Sequence, residues 1–328
     1  MRIEPAHATL KFAALIIAGA LALGISLALG SMMLSPREVL HALFKQSDSV
    51  ASLIVCKLRL PRIAMAMIVG ASLSVSGVMF QSLMRNPLAD PYTVGVSGGA
   101  AIGATIAIVL SLSYPLIAVF AFIGSILAIT AVYGISRKRR FGTTSLILGG
   151  IALSFVLSSG VLLIFSFSRA EQVHRALMWL MGDFSIARYA VLPQMAAFSL
   201  VLMGFSMLYH RHLNILSFGA DFAKNLGVTG ADVRTIFWSA SLLAAVSVSL
   251  AGVIGFVGLI IPHICRNIFG ADHLRLMPSA ALGGGIFLTL CDTAGRTVAL
   301  PYEIPAGVIT GFAGGLFFLL LIGRNSEE

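Results

Sequence analysis

Between Pro91 and Ser136 no residue carries a formal charge, and that one stretch excludes most folds that live in water. A helix that crosses a bilayer needs ~20 consecutive apolar residues, and lipid offers nothing to an unpaired backbone group, so the stretch reads as two membrane-spanning helices. Ser113, Tyr114 and Pro115 mark the turn between them. The rest of the chain repeats the pattern. Of its 328 residues, 58% are hydrophobic and only 11% charged, far from the usual composition of a soluble domain. Further apolar runs cover Phe12–Leu34, Arg62–Arg85, Thr143–Ser168, Tyr189–Leu208, Leu276–Asp292 and Ile304–Gly323. The run from Thr235 to Phe269 divides into two at a corner of Gly252, Gly255 and Gly258. The expectation is an all-α polytopic membrane protein of about ten transmembrane helices, forming a single transmembrane domain over residues 1–328.

The first run is too long for a signal-peptide core and lacks a small-x-small cleavage pattern, so it reads as a retained span. Ser35 and Pro36 then start a short surface helix. Arg85, Asn86, Pro87, Asp90 and Pro91 form a break between spans, with Asp90 and Pro91 as cap and first turn of the next helix. Arg137, Lys138, Arg139 and Arg140 make the densest basic cluster, and the positive-inside tendency puts them in the cytoplasm. Followed through ten spans, that choice places most of the 22 Lys and Arg and both termini inside, with Arg296 and Glu303 outside. Trp179 suits an interfacial helix within the outer segment Arg169–Arg188.

Residues 209–234 form the one long polar interruption in the second half. Ser217 to Gly227 reads as a short helix with Phe222, Ala223 and Leu226 on one face and Asp221, Lys224 and Asn225 on the other. Gly227 stops it, and Thr229 with Asp232 forms a capping box that restarts a helix into the next span. Such a cytoplasmic knob suits docking to a soluble partner.

Chemistry is sparse. No phosphate-binding Gly-x-x-x-x-Gly-Lys-Ser/Thr loop, zinc-protease motif or nucleophile elbow occurs, so ATP and Mg, if used, belong to a partner chain, and no catalytic or metal-binding residue is assigned to this one. Cys56, Cys265 and Cys291 lack metal or disulfide spacing and read as packing. His210 and His212 read as a solvated surface. The basic balance does not form a nucleic-acid domain. Carboxylates sit at span ends, which argues against an ion-coupled carrier; Asp292 and Arg296 read as an intrahelical pair. Small-residue ridges at Gly95/Gly99/Gly103, Gly150/Ser154/Ser158 and Gly307/Gly311/Gly315 read as close helix packing. Ser154, Ser158 and Ser159 are in addition the candidates for lining a pathway.

Arg59, Leu60, Pro61 and Arg62, then Gly77, Gln81, the run Arg85–Pro91, Gly95 and Ser97–Ala100, resemble the first signature of the permease subunits of ABC importers for ferric siderophores, haem and cobalamin. The second half is similar too, through Leu213, Asn214, Gly219, Ala223, Leu226, Gly227 and Val228, then Gly255–Leu259, Pro262, His263, Arg266, Gly270, Asp272, His273, Pro278, Asp292, Arg296, Glu303, Pro305 and Gly307. The resemblance covers nearly everything after Leu58. It implies the type II importer permease fold with inverted-repeat-like halves, and a homodimer with two ATP-binding subunits below and a periplasmic binding protein above, in the bacterial inner membrane. Leu213, Asn214, Gly219, Asp221, Ala223, Leu226 and Gly227 would couple to the ATPase; Arg59, Arg62 and Arg296 would dock the binding protein. Leu316 stands where the family commonly has proline. An iron chelate is the expected cargo, cobalamin the alternative, and an ion-coupled carrier or a structural protein the rivals from other classes.

Overall fold

The computed structural model describes residues 5–45, 49–138, 143–185 and 192–325, so Arg139, Arg140 and Arg188 fall outside it. Among the described residues the chain is helical throughout. After α1 (Pro5–Ala28) comes α2 (Pro36–Phe44), whose N-cap Ser35 and Glu38 form the reciprocal capping box. A short turn, α3 (Val50–Ser52), passes through a π-helical stretch, Leu53–Arg59, into α4 (Leu60–Met84), making one continuous helix from Val50 to Met84. There follow α5 (Val96–Val109), α6 (Tyr114–Lys138), α7 (Thr143–Ser166), α8 (Ala170–Leu180) and α9 (Leu192–Met207). The knob contains α10 (His210–Leu216) and α11 (Ala220–Asn225); α12 (Gly230–Ala251), α13 (Val257–Phe269), α14 (His273–Gly295) and α15 (Ala306–Asn325) complete the chain.

Six helices are long and apolar enough to cross a membrane, seven if the pair α9 and α10, bent by 58°, counts as one. Three apolar helices are shorter: α5, α13 and the first sixteen residues of α15. Together they occur in the order the apolar runs dictate. The run Thr235–Phe269 forms two helices, α12 and the shorter α13, whose 13 residues rise about 20 Å. Its corner is where the glycines put it: Gly252 takes φ +74° with no room for a side chain beside the Trp179 carbonyl.

The predicted loop Arg85–Pro91 is built as its residues require. Arg85 ends α4 in the left-handed conformation, Asn86 accepts a hydrogen bond from the Leu88 amide, and Asp90 caps a 3-10 turn by accepting from the Tyr92 amide at 2.7 Å.

The interior is organised around α4 and α12, whose spans are 78% and 72% buried, whereas those of α1 and α7 are 17% and 11% buried and lie at the periphery. Lipid gives helices no hydrophobic drive to associate, so small residues must let backbones approach. A Cβ built on Gly70 would overlap the Gly284 carbonyl, and one on Gly77 the Gly258 carbonyl. The ridge of Gly99 and Gly103 packs on the Gly124 and Phe120 carbonyls, and Gly150 packs on Thr93. The packing reading therefore holds for those positions. Gly95 is instead a left-handed N-cap, and Gly311 and Gly315 face open space.

Gly77→Val should lower stability by about 1–3 kcal/mol or more through overpacking, read as thermal denaturation of the detergent-solubilised chain. Gly204→Ala in α9, with nothing within 4 Å of the added carbon, should stay within about 1 kcal/mol of the parent. Equal effects would contradict this packing.

Candidate functional site

Helices α4 and α14 run antiparallel along each other, and each end of the pair carries a polar cluster. At the end away from the knob, Asp292 is 2% exposed and is held by two guanidiniums. Arg62 donates to both of its oxygens, at 2.9 and 3.1 Å, and Arg296, one turn along α14, lies 3.1 Å away. Arg62 also reaches Glu303, which precedes α15, at 2.8 Å. The pair Asp292–Arg296 read from spacing is present, but as part of a four-residue network across three segments. A carboxylate buried this way persists only because its oxygens are paired and hydrogen-bonded.

Arg59 and Arg296, each 4% exposed, do a second job. Arg59 donates to the Leu27, Ala28 and Met32 carbonyls, and Arg296 to the Ser26 carbonyl and hydroxyl. Ser26, Leu27 and Ala28 lie in the last turn of α1, whose carbonyls run short of intrahelical donors and where positive charge is also favoured by the helix dipole, and Met32 follows it. The π-helical stretch places Arg59 there, at the point where it joins α4. The structure thus brings the three expected docking arginines together, lining with Glu303 and Ser185 a cavity of about 250 Å³. It also engages them internally rather than leaving them extended into solvent.

At the knob end, a cavity of about 540 Å³ is lined by Gln81, Ser82, Arg85, Asn86, Pro87, Asn214, Ser217, Phe218, Arg266, Ala271, Asp272 and His273. Here the break motif and the knob meet, with the Arg85 guanidinium beside Gly219. Gln81 accepts from Arg266 at 2.9 Å, joining α4 to α13. Asp272 caps α14 and accepts from Asn214 at 2.8 Å. Burial works against its charge, but the Asn214 amide, the Leu274 amide and Arg275 outweigh that and hold its carboxyl below the ordinary value.

The knob differs from its sequence reading. Ser217 closes α10 rather than opening a helix, and α11 is only six residues long. Gly227 does turn left-handed, with φ +85°, and the Thr229–Asp232 capping box is formed. Of the expected apolar face, Ala223 is buried while Phe222 and Leu226 are 50% and 54% exposed; outside that face, Leu213 is buried and Phe218 is 79% exposed. Asp221 lies in the first turn of α11.

Ser154 and Ser158 line an open groove of about 480 Å³ with Asp90, Tyr92, Thr93, Phe155 and Phe256. Ser159 is exposed and lies outside that groove, because one residue along a helix turns the side chain by about 100°. His210 is engaged with the Met207 carbonyl, and no cluster of metal-binding side chains occurs among the described residues. Spacing gave no sign of the contacts from Asn214 to Asp272 and His273.

Asp292→Ala should cost about 3–5 kcal/mol, because it strands buried guanidiniums. Glu303→Ala, removing a carboxylate that is 46% exposed, should cost about 1 kcal/mol or less. Thermal unfolding in detergent checks the difference, and equal losses would refute the buried network.

The sequence profile of the FecCD transport family matches residues 15–324. The hemin transport system permease protein of Yersinia pestis is 39% identical over 279 residues, covering 83% of both chains. The cobalamin import system permease protein of Halobacterium salinarum is 41% identical over 285 residues, covering 84% of this chain and 75% of that one. A solved structure, described as an inward-facing conformation of a metal-chelate type ABC transporter, superimposes with a TM-score of 0.85 at 33% identity, covering 95% of this chain and 98% of its own. With the family profile matching residues 15–324 and relatives 39% and 41% identical over most of the chain, the chain belongs to the FecCD transport family and is a multi-span permease of ABC importers.

Proposed function

We propose that this chain works as a homodimer carrying a metal chelate into the cell across the inner membrane, with an iron complex as the first candidate and cobalamin as the alternative. ATP and Mg are bound and turned over by a separate chain, two copies of which sit under the two knobs. The observation that carries this reading is the knob's exposed apolar cluster. Phe218 and Phe222 lie 5.9 Å apart, centroid to centroid, and Leu226 is half exposed beside them in sequence. Three large apolar side chains on a polar protrusion are costly in water unless a partner covers them. That partner is the ATP-binding subunit.

The second copy is supported by α15, where Gly311 and Gly315 meet nothing within 4 Å and so leave a surface on which another helix can approach closely. The groove of Ser154 and Ser158 then forms part of the pathway between the copies. A periplasmic binding protein docks at the opposite end, where three arginines face two carboxylates around the small cavity. The surplus positive charge suits an acidic surface on that protein. In this orientation the knob and both termini are cytoplasmic. ATP binding by the partners moves the knobs, and the knobs move the spans.

The chain purified from its native membranes in mild detergent should carry an ATP-binding subunit in equal amount. Phe218→Glu with Phe222→Glu should reduce the co-purified subunit at least about tenfold, since burying unpaired charge opposes docking, while the variant chain still reaches the membrane. A parent chain that emerges alone, with uptake following an ion gradient, would contradict the importer reading. An unaffected double variant would contradict the docking surface.

A further inference from the structure

Asn214 belongs to the segment expected to meet the ATPase, yet its amide is turned the other way, into the membrane domain. The His273 backbone N–H can only donate, and it lies 2.9 Å from Asn214 Oδ1. That contact fixes the orientation of the amide, leaving Nδ2 to donate to Asp272 Oδ1 at 2.8 Å. The same Oδ1 lies 2.6 Å from His273 Nδ1, so Nδ1 must carry a proton and donate as well. In the neutral imidazole Nε2 is then the acceptor, and its neighbour at 2.5 Å is the Ser82 hydroxyl near the end of α4.

Two donors point the same way, His273 to Asn214 and Asn214 to Asp272, while the single Ser82 proton is shared between His273 Nε2 and the Val78 carbonyl at 3.0 Å. Hydrogen bonds aligned head to tail polarise and strengthen one another. His273 is 3% exposed, so its own contacts are shielded from competing water, while the Asn214–Asp272 contact lies at the surface. Asn214 is on α10, Asp272 and His273 open α14, and Ser82 is on α4. One side chain ties the knob to both members of the central helix pair.

We propose that Asn214 is the positioning residue through which movement of the knob reaches the spans. This rests on the reading of the knob as the ATPase docking element. The exposed cluster Phe218, Phe222 and Leu226 grips the partner; the half-buried Asn214 passes the displacement to α14 and, through His273, to α4. The role demands one donor and one acceptor on the same short side chain. Asparagine supplies both, while aspartate would supply two acceptors and set a second carboxylate against Asp272.

That asymmetry gives a test by reversal. In Asn214→Asp the donor to Asp272 is lost and two carboxylates face each other. Adding Asp272→Asn restores the pair with its direction reversed. The amide now at position 272 donates to the carboxylate now at position 214, which still accepts from His273; the cap on the Leu274 amide, which uses the same Asp272 oxygen in the parent, is given up in the exchange. A spin label on Val298→Cys, at a 73% exposed position beyond the far end of α14, reports the distance between the two copies; Cys56→Ser leaves only the buried Cys265 and Cys291. Complexes carrying their co-purified ATP-binding subunit are measured with and without ATP. The parent should show an ATP-dependent shift in the distance distribution. N214D should keep its bound ATPase but lose that shift, and N214D with D272N should recover it. A single variant that shifts like the parent, or a reversed pair that stays silent while binding ATPase normally, would overturn the proposal. Loss of the ATPase from the parent itself would instead count against the docking reading.

Discussion

The close approach of α4 to α14 is the contact on which the rest of the architecture depends. Gly70 and Gly284 bring the two backbones so near that a Cβ on either would overlap the other's carbonyl oxygen. In lipid, dispersion and polar contacts must supply what the hydrophobic effect supplies in water, and both grow as helices approach. Helix α4, with 25 residues, spans about 37 Å, enough to cross the bilayer core. Pinned at Asp292 by Arg62 and at Ser82 by His273, the pair has a polar fastening at each end and a glycine contact near its middle. A unit held in this way moves as one body.

The fastening at the far end combines two tasks. Arg62 and Arg296 neutralise Asp292, while Arg296 and Arg59 supply the donors that the end of α1 lacks. Desolvating four charged groups, Arg59, Arg62, Asp292 and Arg296, is expensive, and the network offsets that cost only while it is complete. A carboxylate arriving from a docked protein would compete with Asp292 and Glu303 for the same guanidiniums. Burial and the proposed docking are thus not opposed: the surface proposed to receive the binding protein is the one that holds α1, α4 and α14 together.

Much of the fold could be read from the sequence because its signals are local. Ser35 with Pro36, Asp90 with Pro91, Thr229 with Asp232, and the glycines at 227 and 252 each specify a cap or turn within a few residues, and each forms as expected. The clusters were not legible in the same way. Arg62 and Asp292 are 230 positions apart, and Asn214 and His273 are 59 apart; no periodicity links them. Amphipathic spacing marked Phe222 and Leu226 as one apolar face, but spacing cannot tell a face that packs on its own chain from one left for another. Ser159 lies outside the groove that Ser154 and Ser158 line.

Hydrogen–deuterium exchange of the complex in lipid nanodiscs tests most directly whether α4 and α14 move as one body. The middle turns of both helices, around Gly70 and Gly284, should be the slowest-exchanging part of the chain and should keep equal protection with and without ATP, while α7 and α15 change. Exchange that opens between α4 and α14 when ATP binds would show the two helices separating during the cycle, and would contradict the account.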